Sequence, residues 1–94
     1  MKRYVIERDV QGIGLNDDAG LCAIAKTSNS ALKLLAPNVQ WEHSYVTGDK
    51  TFCVYLAEDE AAIREHARIS GFPANRITPV AAVIDPTTAV MRHV

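Results

Sequence analysis

The alternation of apolar and polar positions along the chain divides it into six segments. The clearest is a hairpin: Trp41-Glu42-His43-Ser44-Tyr45-Val46, a polar turn Thr47-Gly48-Asp49-Lys50, then Thr51-Phe52-Cys53-Val54-Tyr55-Leu56. Aromatic and β-branched residues dominate both arms, which suits a pleated, half-buried surface. Upstream, Arg3-Tyr4-Val5-Ile6-Glu7-Arg8 reads as a strand and Gly12-Ile13-Gly14 as a loop. Asn16 or Asp17 caps a helix reaching about Ala36, whose inner stripe is Leu21, Ile24, Ser28, Ala31, Leu32 and Leu35, with Cys22 half-buried at its margin. Pro37 stops that helix. A second helix opens at Glu58 or Asp59 and extends to about Ser70, with Ile63, Ala67, Ser70 and the adjacent His66 inward, and Gly71 as its left-handed cap. The last strand, Ile77 to Ile84, is entered through Pro79, which lacks a ladder donor and therefore marks an edge strand or strand entry.

This order, βαββαβ, predicts an α+β fold of the ferredoxin-like kind: a four-stranded antiparallel sheet with two helices on one face. The domain spans 1–86, and 87–94 form a tail without periodicity. The uncovered face invites pairing with a second copy into a dimeric α/β barrel. If Gly48-Asp49 is a two-residue loop, Tyr45 lies opposite Phe52, His43 opposite Val54 and Trp41 opposite Leu56, all on one face. Glu42, Ser44, Cys53 and Tyr55 then occupy the other. A loop one residue longer would mix the sets; the first register is preferred because it makes Phe52, Val54 and Leu56 a continuous apolar layer.

Charge narrows the function. Ten Lys and Arg against eleven Asp and Glu give a net charge of −1, without the basic excess that nucleic acids or anionic lipids call for. The longest apolar runs, Leu21 to Ala25 and Val80 to Ile84, are five residues each, against the ~20 of a membrane span. The expectation is a cytoplasmic protein without nucleic-acid or membrane partners. Cys22 and Cys53 have neither disulfide-framework nor zinc spacing and read as two free thiols. In a dinucleotide fingerprint begun at Gly12-x-Gly14, the third glycine would fall at Asp17, so that motif is excluded.

Candidate chemistry rests on few residues. Glu42-His43 and Glu65-His66 are the places where a histidine has a carboxylate neighbour in sequence. Adjacent strand residues point to opposite faces, and His66 has no acid or histidine three or four residues away, so neither dipeptide is expected to chelate alone. The ordinary roles are a half-buried hydrogen-bonded His43 and a cationic His66 near a helix C-terminus. Glu7 is either an exposed residue of the open face or a ligand or base. Cys53, with no adjacent Lys or Arg to depress its pKa, reads as inert. No catalytic triad is visible.

Several blocks together resemble a known family. Tyr4-Val5-Ile6-Glu7-Arg8, Trp41 with His43-Ser44-Tyr45-Val46-Thr47, Asp49-Lys50 with Cys53-Val54-Tyr55, and Ile63-Arg64-Glu65-His66-Ala67 followed by Gly71-Phe72-Pro73-Ala74 are similar to small bacterial ferredoxin-like proteins, some described as nickel-binding. The resemblance implies a homodimeric barrel-like fold and non-enzymatic binding of nickel(II) or a similar divalent metal ion. His43 or His66 would act with a carboxylate such as Glu7 or Glu42, completed by the second subunit or water. The competing reading is a cofactor-independent dimeric α/β-barrel enzyme, of monooxygenase or isomerase type, or a protein holding a small molecule in a sheet-face cavity.

A chain of this size buries only ~60–65% of its unfolded surface, which leaves a monomer marginal. Light scattering at micromolar concentration is therefore expected to show twice the chain mass; a monomer with intact fold would overturn the shared barrel.

Overall fold

The computed structural model describes residues 1–90. Its elements are β1 (Lys2–Asp9), α1 (Asp18–Leu35), β2 (Val39–Val46), β3 (Lys50–Ala57), α2 (Glu60–Ser70) and β4 (Arg76–Pro79), with short 3-10 turns at Ile13–Leu15 and Pro86–Val90. The strands form one sheet in the order β2-β3-β1-β4, and every neighbouring pair is antiparallel. This is the ferredoxin-like α+β arrangement expected from the pattern.

Period-two alternation places the core. Tyr4, Ile6 and Arg8 of β1 and Thr51, Cys53, Tyr55 and Ala57 of β3 are buried, while the residues between them are only partly covered. The buried set faces the helices, where Ile63 of α2 and Val39 join it. On α1 the expected stripe holds: Ser28 and Ala31 are buried and Leu21, Ile24, Leu32 and Leu35 are half-buried. Both helices begin at an aspartate cap, Asp17 accepting from the Gly20 amide and Asp59 from that of Ala62, each at 2.9 Å. Such caps contribute about 1 kcal/mol each. Gly71 closes α2 at φ 80°, a conformation that favours glycine.

Three expectations are corrected. β4 ends at Pro79 instead of Ile84, because antiparallel pairing of Tyr4 with Pro79 leaves β1 almost no residues for the following positions to pair with. The Val80 amide makes a last bond to the Arg3 carbonyl at 2.8 Å. Cys22 is exposed; it and the buried Cys53 are both free thiols. The segment beginning at Pro86 is a 3-10 turn, anchored where the Asp85 amide donates to Thr88 Oγ1 at 2.9 Å. Met91, Arg92, His93 and Val94 of the expected tail lie outside the described residues.

The hairpin follows the preferred register only in part. Tyr45 pairs with Phe52 and His43 with Val54, but a bulge at Glu42 then sets Trp41 opposite Tyr55, where Leu56 was expected. An inserted residue reverses the facing of everything before it. Trp41 thus turns to the helix side, where its indole Nε1 donates to Ser44 Oγ at 2.9 Å and its ring lies 6.4 Å from that of Tyr55, nearly parallel.

Backbone bonds dock the hairpin tip on the β1–α1 loop. The Gly14 amide donates to the Gly48 carbonyl (2.9 Å), Val10 to that of Asp49 (3.0 Å), and Gly12 to the Asp49 carboxylate (2.8 Å). The approach is so close that a Cβ on Gly14 would sit 2.6 Å from the Thr47 carbonyl oxygen and 2.9 Å from Gly48 Cα. Gly14→Ala is therefore expected to cost about 1–3 kcal/mol in urea unfolding. Gly48→Ala, with open space at its Cβ and no positive φ, should stay within about 0.5 kcal/mol of the parent.

Candidate functional site

The sheet carries different chemistry on its two faces. On the open face, the bulge brings Glu42 onto the same side as His43, and both line a hollow of about 680 Å³ with Arg3, Val5, Val54 and, from the chain after β4, Val80, Ala82, Val83 and Ile84. Glu42 reaches across β3 to Arg3, whose Nη2 and Nε donate to its Oε1 at 2.7 and 3.1 Å. That hydrogen-bonded guanidinium holds the Glu42 carboxyl below the usual carboxylate range, so it stands ionised beside the imidazole. The His43 ring meets Tyr45 edge-on at 5.1 Å.

The four expected ligands do not gather at one point. Glu42 and His43 are brought together, against the expectation from simple strand alternation, because the bulge suspends that alternation. Glu7 shares their face but lies two strands from His43, roughly 10 Å across the sheet at ordinary strand spacing, with Lys50 Nζ 3.5 Å from its carboxylate. His66 is on the other side: it points inward from α2 and is wholly buried. Among the described residues no cluster of three or more His, Cys, Asp or Glu side chains is arranged to hold a metal ion. The open face thus presents one imidazole and one carboxylate side by side, donor types that suit divalent transition metals.

Between α1 and the covered face of the sheet lies a more enclosed cavity of about 380 Å³. Arg8, only 3% exposed, lines it. Its Nη1 donates to the Pro73 carbonyl at 2.7 Å, while Nη2 has no hydrogen-bond partner among the described residues. The guanidinium lies 5.8 Å from the ring centre of Tyr55 and 6.0 Å from that of Phe72. Aromatic faces contribute about 0.5–2 kcal/mol each, which offsets only part of the several kcal/mol that burying a cation costs. Beside it runs a polar chain: Ser28 Oγ lies 3.4 Å from the Tyr55 hydroxyl and 3.2 Å from His66 Nε2, and His66 Nδ1 is unpartnered among the described residues. Burial pushes the Tyr55 phenol up.

The sequence reading did not single out Arg8 or the Ser28–Tyr55–His66 chain. The signal for Arg8 was present, since it stands at the i+2 and i+4 positions from Ile6 and Tyr4 and so shares their inward face.

Fold and faces together define a small ferredoxin-like α+β protein with an acidic-imidazole pair on its open sheet face and a cationic cavity beneath its helices. The chain belongs to the family described as nickel responsive protein SCO4226-like, which matches residues 4–80. The crystal structure of SCO4226 from Streptomyces coelicolor A3(2) is similar, with a TM-score of 0.73 over 87% of this chain and 99% of that one, at 15% sequence identity. That likeness shows the fold. No curated protein matches the chain. No helix among the described residues is long and apolar enough to cross a membrane.

His66 is not the cation expected near a helix end. Burial foremost, and the charge of Arg8, lower its pKa to about 4, while its bond with Ser28 acts in the opposite sense. Between the ordinary histidine value near 6.5 and about 4 the unfolded chain binds a proton that the folded one refuses. Stability from this group is thus complete above pH ~6.5 and is lost as pH falls through the folded value. Unfolding free energies from urea titrations between pH 7.5 and 4 should fall more steeply for the parent than for His66→Gln, by up to about 1.4 kcal/mol per pH unit.

Proposed function

We propose that the protein binds nickel(II) or a similar divalent ion on the open face of its sheet, without catalysing a reaction. His43 supplies the imidazole and Glu42 the carboxylate, and water or groups of a second copy, Glu7 among them, complete the shell. The observation that carries this reading is the bulge in β2, which sets an ionised carboxylate next to an imidazole on the same face. Membership in a family described as nickel responsive supports it. Imidazole and carboxylate suit nickel(II), and two donors per chain favour a site shared between chains.

Self-pairing through this face has its own support. Tyr45 is 61% exposed and Ile84 79% exposed in the single chain, and Val54 beside them lines the same hollow. Apolar surface of this kind is ordinarily covered by a partner, and isologous pairing would bring two Glu42–His43 pairs to one interface. Metal binding here would draw Glu42 from Arg3 and leave His66, sealed beneath α2, untouched.

Calorimetric titration with nickel, zinc and cobalt tests the site. His43→Ala and Glu42→Gln are each expected to weaken nickel binding about tenfold or more, a change of ~1.4 kcal/mol per decade. His66→Gln should bind as the parent does. If both open-face variants keep the parent's affinity with the fold intact by circular dichroism, the ligands lie elsewhere.

A further inference from the structure

The cavity beneath α1 has a composition that the metal reading does not use. Its walls are largely apolar, with Ile13, Leu21, Ile24, Trp41, Val46 and Phe72 contributing, and no Asp or Glu is among the described residues lining it. Into this setting the fold places a buried arginine. Each salt bridge among the described residues involves other groups, so Arg8 has the Pro73 carbonyl, two aromatic faces and the nearby Tyr55 phenol for company but no carboxylate, and among the described residues its Nη2 lacks a hydrogen-bond partner. A planar guanidinium matches a carboxylate better than any other common anion of its size except phosphate. The apolar walls exclude a multiply charged phosphate, which would need further cations.

We propose that this cavity binds a small monocarboxylate with an aromatic or aliphatic body, its carboxylate on Arg8 and its body between α1 and Trp41. At about 380 Å³ the space lies within the ordinary range for small-molecule sites. It takes roughly a dozen non-hydrogen atoms, reckoned from the ~30 Å³ a liquid water occupies. Apolar walls with one convergent charge are the usual composition of such sites. Ser28, Ser44 and Tyr55 provide hydroxyls along the wall, so a second polar group on the ligand also finds a partner. The site is on the covered face, opposite the Glu42–His43 pair, and does not depend on metal.

The sole tryptophan, Trp41, lines the cavity and reports its filling. Binding is measured by Trp41 fluorescence and calorimetry at pH 7.5, in buffer free of carboxylates and metal, using 3-phenylpropionate and its neutral isostere 3-phenylpropanamide as probes. The expected result is saturable binding of the acid, with the amide at least tenfold weaker. Arg8→Met should erase that preference, and Ala25→Phe, which fills the cavity from α1, should block both probes. If Arg8→Met does not fold, the acid–amide ratio in the parent and the Ala25→Phe variant decide the matter. Equal binding of acid and amide, binding that survives Ala25→Phe, or no binding of the acid at millimolar concentration would each overturn the proposal.

Discussion

The extra residue in β2 governs what each face of the sheet presents. Without it, strict alternation would send Trp41 to the open face with His43 and Tyr45, and Glu42 to the covered face. A carboxylate would then stand on the covered face beside Cys53 and Tyr55. With the bulge, Glu42 stays in reach of Arg3 and His43, and Trp41 becomes a wall of the inner cavity. One irregular backbone position thus separates the anionic chemistry of the open side from the cationic chemistry beneath the helices.

That separation has an energetic side. The Arg3–Glu42 pair lies where solvent screens it, so it contributes little to stability and can be exchanged for another partner. Arg8 is in the opposite situation: enclosed, singly hydrogen-bonded, and packed between aromatic rings. The neutrality of His66 belongs to the same interior, because a second cation next to Arg8 would add repulsion to desolvation.

Element order, both helix starts to within one residue, the Gly71 cap and the inner stripe of α1 were legible in the sequence because each depends on local chemistry or on a simple period. What escaped were features set by partners distant in sequence. The bulge at Glu42 has no mark in the residues around it, and it spoiled the argument that Glu42 and His43 must face apart. The length of β4 was misread because apolar residues continue to Ile84 while β1, the strand they would pair with, runs out. His66, rightly placed on the inner edge of its helix, read as a cation near the helix C-terminus; only the packing of Ser28 and Tyr55 against it shows why it is held neutral.

The docking of the hairpin tip on the β1–α1 loop has a consequence for how this chain can change over time. The bonds that hold it run mainly between backbone atoms, from Val10 and Gly14 to the carbonyls of Asp49 and Gly48. Side chains there are free to drift in identity, with Gly12, Gly14 and Asp49 as exceptions, but loop length is not: inserting one residue on either side would move donors out of step with acceptors. Relatives should therefore differ in spelling across these two loops while agreeing in their spacing, and accept insertions instead in the stretch after β4, where no ladder holds the chain.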